Sequence, residues 1–446
     1  MKNLWMFLLA AFSVSCFAAD RYMDRMFDVS VEKDVVYAEN VPVPTALNMF
    51  TKLLSGIMDS PTNLLVLFDN DSEQEKQNML MNLYTPKGDS ETKRPVVIVA
   101  HGGAFVAGAR DDEDQQTIQF CDSLAARGYV TAALGYRLGV VMQTEGSNLT
   151  VDSADFARTV YRSVQDIRAA IRYFRANAVK LGVDPQKIFV MGNSAGGVLS
   201  LENIYGLSED MFPSYIDKDP KLGGLDAYGI AGDNSIANAA VSLWGAVHSV
   251  EMIGSTSVPV LLIHGTEDAT VPFKSGRPLM NYAEDIESIV PSMYASLTDG
   301  WTLNLNTPTL YGSFVVDSVL KAKGIEHETY FVEGEDHEFY NSYAYMDIVR
   351  EKIFNFLYAQ TQNKTPNAVK PVVLARASAL HMGENNMTFT LDRGENVTYK
   401  VFDLRGKVQM AGRTSAGETV NLNILENGVY VLKVQGEMPR RFGMKR

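Results

Sequence analysis

The feature that most constrains this chain is a repeated alternation between short, continuous apolar runs and longer segments with apolar residues at helical spacing. KRPVVIVAHGG (93–103) reads as a buried strand, and DEDQQTIQFCDSLAARG as a helix ending at Gly128. YVTAALGYRL is another strand, followed by a long amphipathic helix whose apolar face includes Val164, Ile167, Ala170, Ile171 and Phe174. KIFVMGNSAGG, AAVSLWGA, PVLLIHGTED and HETYFVEGEDH supply four more strand ends. Strands apolar on both faces are stable only between layers of helix, so the pattern predicts an α/β fold with a mostly parallel central sheet. Ligands bind such sheets beyond the carboxyl ends of the strands. HGG, NSAG, GTED and EDH all stand there, which predicts that residues from His101 to His337 converge on one site.

The chain has 446 residues, 46% of them hydrophobic, enough for a large core and more than one domain. Its formal charge of −13, from 40 basic and 53 acidic side chains, argues against a nucleic acid or anionic polymer as partner. MKNLWMFLLAAFSVSCFAAD gives one lysine, a short apolar run and a small-residue exit, which predicts a signal peptide over 1–18 and a secreted or cell-surface protein. The run is too short and too interrupted by serine for a stable membrane span. Cleavage would remove Cys16 and leave Cys121 as the lone cysteine of the mature chain. Its helical spacing with Ile118, Leu124 and Ala125 predicts a small buried hydrophobe.

The catalytic domain is expected over 19–359, with two long excursions at roughly 204–236 and 282–313, the second holding Trp301. Long segments at a ligand edge commonly form lids or substrate walls. QTQNKTPNAVKPVV turns polar and proline-containing, predicting a linker over 360–373. Short alternating segments then predict a small all-β sandwich over 374–446.

Gly192-Asn193-Ser194-Ala195-Gly196 fits the Gly-x-Ser-x-Gly pattern in which a serine occupies a tight strand-to-helix turn. A serine hydroxyl needs a base, an orienting acid and an oxyanion site before it is a useful nucleophile. Backbone N–H groups of Gly102, Gly103 and Ala195 are the candidate oxyanion donors, although HGG also reads as a plain turn needing positive φ. Among six histidines, His101 belongs to the glycine loop, His264 precedes the acid turn, and His381 lies in the tail. His248 follows a different strand, and His327 opens the last strand at the wrong edge. His337 remains, and the order Ser, acid, His is the one this architecture uses. Asp268 is the candidate acid from its distance after the strand and the following Val-Pro, with Glu267 read as solvated. Glu335 and Asp336 share the loop of His337 and are also read as solvated neighbours. No residue cluster has metal-ligand spacing, so no cofactor or metal is implied.

With YTPKG, HGGAF, GYRLG, DIRAAIRYFRANAVKLGVDPQKIFVMGNSAGG and HGTEDATVPF in place, residues 80–358 resemble the α/β-hydrolase superfamily, in its carboxylesterase and acetyl-xylan or feruloyl esterase-like branch. The resemblance implies a serine esterase working through an acyl-enzyme, with Ser194, His337 and Asp268 as triad. The substrate is expected from the address rather than from the resemblance: a secreted esterase of a plant-polymer-degrading bacterium suits acylated xylan or a related oligosaccharide. Ala104 departs from the pattern, since many relatives carry a third glycine there. The tail, VFDLRGKVQMAG then LENGVYVLKVQG and a basic end, is similar to the C-terminal sorting domain of the type IX secretion system. That likeness implies a Bacteroidetes- or Fibrobacter-like source and secretion machinery as a partner. Two other readings stay open: a serine peptidase of prolyl-oligopeptidase type, and a non-catalytic surface protein that binds polysaccharide.

Overall fold

The computed structural model describes residues 19–44, 74–111, 116–140, 143–145, 148–216, 222–232, 234–282, 302–341 and 343–362, and in the tail 380–383, 388–391, 397–403, 408–434 and 440–444. The expected signal peptide, Trp301 and residues 363–373 of the expected linker lie outside them. The chain divides into two compact units: Met1–Asp317 with His327–Lys370, and Ser318–Glu326 with Pro371–Arg446.

The first unit is built on an eight-stranded sheet of β1 (Val29–Pro44), β2 (Gln74–Pro86), β3 (Arg94–Ala100), β4 (Val130–Leu134), β5 (Val183–Asn193), β6 (Ala239–Leu243), β7 (Val260–Gly265) and β8 (Glu328–Val332). Its order is β1-β2-β4-β3-β5-β6-β7-β8. β2 is antiparallel to both neighbours, and every pair from β4 through β8 is parallel. This mixed, mostly parallel sheet has the α/β-hydrolase arrangement. The helices are α1 (Gln116–Ala125), α2 (Ser153–Ala176), α3 (Ala195–Tyr205), α4 (Ser313–Ala322) and α5 (Tyr343–Gln362).

Val96, Val97 and Ile98 of β3 are all fully buried, so both faces of the strand are covered, as a continuous apolar run requires. One core joins Phe120, Cys121 and Leu124 of α1, Val349 and Ile353 of α5, and Val97, Phe189, Val241 and Ile263 of the sheet. Cys121 is fully enclosed there, and burial pushes its thiol pKa up, so it is an inert hydrophobe as the spacing suggested. α2 begins at Asp152, whose side chain accepts the Asp155 N–H, and its predicted apolar face from Val164 to Phe174 is fully buried. Arg137, from the GYRLG segment after β4, is buried against Asp166 of α2 at 2.9 Å. The Arg137 N–H also donates to Asp166 at 2.7 Å, and the guanidinium donates to Arg162 O and Gln165 Oε1. Two of the motifs behind the family resemblance thus meet in one structural clamp.

The N-terminal stretch gives no clear sequence signal, and the reason is geometric. β1 is a long edge strand, mostly exposed along its first half, with register shifts along its pairing with β2. Asp34 and Asn40 take positive φ at these irregularities, and their N–H groups donate to the side chains of Asn82 and Asn78. Such bulges erase the period-two pattern by which a strand is recognised.

At the other end of the unit, α5 continues through Gln362, three residues into the stretch read as linker. Thr361 is buried and its carbonyl accepts the Lys187 ammonium at 2.7 Å, which holds the last turn down. In the excursion read as 282–313, Thr302–Leu305 pairs in parallel with Asn148–Val151, and residues 283–301 are outside the described set. Among the described residues no helix is long and apolar enough to cross a membrane.

In the second unit, Leu380–Met382, Thr388–Leu391 and Val420–Asn421 form one antiparallel sheet. Val408–Thr414, Val397–Asp403, Gly428–Val434 and Arg440–Met444 form another. Phe389, Leu391, Val401, Leu422, Leu432 and Val434 are buried in a common core.

Candidate active site

β5 ends at Asn193 and α3 starts at Ala195, so Ser194 alone makes the turn, at φ +53° and ψ −116°. This is a sparsely populated conformation for a residue with a Cβ. The Ser194 N–H is held by Leu243 O at 2.9 Å, at the end of the neighbouring strand. Gly196 makes the turn possible, because a Cβ there would collide with the Ala100 carbonyl oxygen of β3. The hydroxyl is thereby presented at the carboxyl edge of the sheet and at the N-terminus of α3, where the helix dipole favours negative charge.

His337 stands on the loop after β8. Its Nε2 lies 3.0 Å from Ser194 Oγ and its Nδ1 lies 2.8 Å from Asp268 Oδ2. The carboxylate assigns the ring proton to Nδ1, leaving Nε2 to accept the serine proton. Asp268 stands on the loop after β7 with its side chain fully buried. Its Oδ1 accepts the N–H groups of Thr270 and Val271 at 2.9 and 2.8 Å. Burial works against the charged form, but the hydrogen bonds and charges of His264 and His337 outweigh it, and the Asp268 pKa is drawn down to about 2. The structure therefore brings the three sequence-selected residues into one hydrogen-bonded line. Glu267 is exposed beside it, as expected.

Glu335 and Asp336 are not the orienting acid, and Asp336 is exposed as expected. Asp336 also has a structural part: its Oδ1 accepts the Ala269 N–H at 2.9 Å and the His337 N–H at 2.7 Å, tying the acid loop to the base loop. Glu335 accepts the Tyr345 hydroxyl at 2.8 Å, and its carbonyl takes the Glu267 N–H. Both acids are fixed because the two loops run side by side, a relation absent from a linear reading.

The HGG loop lies against the nucleophile turn. A Cβ on Gly102 would stand 2.8 Å from Asn193 Nδ2, so the loop backbone approaches as closely as a missing side chain permits. Gly103 has φ +110°, which meets the turn requirement as well. Ala104 and Phe105 follow at φ +55° and +61°, both in the left-handed region that disfavours side chains. Ala195 is the first residue of α3. Gly102 thus lies against the residue before Ser194, and Ala195 follows Ser194 directly.

The sequence reading missed His264. It is fully buried at the end of β7, with Nε2 3.1 Å from Asp268 Oδ2 and Nδ1 2.8 Å from Ser313 Oγ. The available signal was the spacing His264-x-x-x-Asp268 in HGTED. His248 pairs with Glu202, a fully buried acid on α3, at 2.9 Å, and its Nε2 meets Met211 O at 2.9 Å. Beside them Phe212 and Pro213 of the first excursion, with Pro308 and Leu310 of the second, close a recess of about 10 Å³ over Val198. That is room for about one water molecule.

The family model BD-FAE matches residues 81–219, which include the HGG loop and Ser194. The chain is 31% identical over 126 residues to carboxylesterase 3B of Mus musculus, covering 27% of this chain and 19% of that protein. It is 31% identical over 145 residues to the para-nitrobenzyl esterase of Bacillus subtilis (strain 168), covering 32% and 28%. The chain thus spans less than a third of the length of these relatives. Among solved structures, esterase 2 of Thermogutta terrifontis aligns with a TM-score of 0.39 and 22% identity over 63% of this chain and 88% of that one. In sequence the chain is similar to carboxylesterases, and in strand order it has the α/β-hydrolase fold.

Proposed function

We propose that this protein is a serine carboxylesterase that hydrolyses esters through an acyl-enzyme. The observation that carries the reading is the continuous hydrogen-bonded line from Ser194 through His337 to Asp268 at the edge of the sheet. In this mechanism His337 Nε2 takes the Ser194 proton as Oγ attacks the ester carbonyl. The oxyanion is received by N–H groups of Gly102, Gly103 and Ala195, and the alcohol leaves with the proton from His337. Water then attacks the acyl-enzyme with His337 again as base, releasing the acid. Asp268 keeps the ring proton on Nδ1 and balances the imidazolium as it forms.

The finer reading is a secreted enzyme that removes acetyl or feruloyl groups from plant polysaccharide, with the tail serving as a type IX sorting signal. Its support is the signal-like N-terminus, the motifs of the tail and the esterase names of the relatives. The test is release of acetate and ferulate from acetylated and feruloylated xylan, alongside p-nitrophenyl acetate, by the native protein and Ser194→Ala. Turnover that depends on Ser194 supports the esterase, and the preferred polymer names the substrate. Turnover unchanged in the variant, or absent from both proteins, overturns it.

A further inference from the structure

Asp268 Oδ2 is shared. On one side His337 Nδ1 lies at 2.8 Å, and on the other His264 Nε2 lies at 3.1 Å. His264 Nε2 also faces Val271 O at 3.1 Å, so both groups about this nitrogen are acceptors and the proton belongs on Nε2. Nδ1 then accepts the Ser313 hydroxyl at 2.8 Å, a closer partner for that hydroxyl than Gly245 O at 3.5 Å. The ring is fully buried and Phe273 packs edge-on against it at 5.5 Å, so it has little freedom to swing away.

We infer that His264 is a positioning residue for the triad, donating through Nε2 to Asp268 Oδ2 so that His337 binds a carboxylate whose charge is already partly engaged. The five-member line then runs Ser313, His264, Asp268, His337, Ser194. A carboxylate that accepts a second N–H is a weaker acceptor for the first. Removing the second N–H is therefore expected to tighten the hold of the carboxylate on a protonated His337. The lowering of the Asp268 pKa, in which the His264 hydrogen bond is the largest favourable contribution, agrees with this geometry. The charged residues next to the pair in sequence are Glu335, Asp336 and Glu338 on the loop after β8 and Glu267 on the loop after β7, and Asp336 accepts the His337 N–H. None of them changes in the variants below.

The inference rests on the esterase reading, and the test separates the two. Turnover that does not depend on Ser194 would remove the reading, whereas the titration of the His337 ring followed by NMR needs no turnover. His264→Leu removes the donor, and His264→Gln returns an amide N–H at the depth of Nε2. The leucine variant is expected to move the His337 midpoint upward by up to about one pH unit, a tenfold change in proton affinity. The acid limb of kcat/KM should follow, while the glutamine variant keeps the native midpoint. Ser313→Ala, which leaves His264 Nδ1 without its donor, is expected to shift the midpoint the same way by less, and it decides the matter if the leucine variant does not fold. An unmoved midpoint in His264→Leu, or in Ser313→Ala where that variant decides, would overturn the inference. So would an equal shift in the leucine and glutamine variants, because the N–H that glutamine restores would then not be what sets the midpoint.

Discussion

Ser194 Oγ and His337 Nε2 are 3.0 Å apart across 143 residues of chain. The separation in sequence is closed by β5 and β8, which end on the same edge of one sheet. Ser194→Ala is expected to lower kcat on p-nitrophenyl acetate by roughly 10⁴-fold or more, leaving circular dichroism unchanged. The methyl group occupies the same strained turn without the nucleophile.

Asp268→Asn should cost about as much, roughly 10⁴-fold in kcat. The amide oxygen is claimed by the Thr270 and Val271 N–H groups, so the amide nitrogen would face two imidazole N–H groups. His337 must then shift its proton to Nε2, where it points at Ser194 and cannot accept. Little change in KM beside the loss in kcat is the expected kinetic signature.

His248 provides a pH dependence of stability. Burial disfavours its charged form, but the Glu202 carboxylate and the Met211 carbonyl outweigh that and raise its pKa above 6.5. A raised folded-state pKa contributes stability that is fully present below the unfolded value of about 6.5 and is lost as pH rises through the folded one. Chemical denaturation across that range should show the native protein weakening with increasing pH, and His248→Gln should flatten the slope. An identical slope in both would remove His248 as its source.

Ala104→Gly is expected to stabilise the protein. Left-handed backbone costs a residue with a Cβ about 1–2 kcal/mol, and the extra freedom of glycine when unfolded returns roughly 0.5–1 kcal/mol of that. A net gain of up to about 1 kcal/mol should appear as a raised denaturation midpoint. No gain would mean that the Ala104 methyl packs well enough to offset its φ of +55°.

The parallel core was legible because burial on both faces leaves a strand with no polar alternation, and the short β-branched run from Val96 to Ile98, stopped by glycines, favours strand over helix. The positions of Ser194, Asp268 and His337 were legible for a related reason, since polar residues directly after such runs must gather at one edge. What escaped notice depends on contacts across the sheet. Asp336 is exposed, as read, but its tie to Ala269 shows only when the loops after β7 and β8 are seen side by side. His264 looks like one more residue near the end of a strand until its ring is found behind Asp268. Glu202 did leave a trace, as the lone charged residue in AGGVLSLENIY, but nothing in the chain pointed from it to His248.

The recess over Val198 is walled by Phe212 and Pro213 from one excursion and Pro308 and Leu310 from another. None of these four lies on the turns that carry Ser194, Asp268 or His337. This recess and the hydrogen-bonded line are thus carried on separate stretches of chain. Replacing either wall would redraw a space the size of one water beside Glu202 and His248 and leave every residue between Ser194 and Asp268 in place.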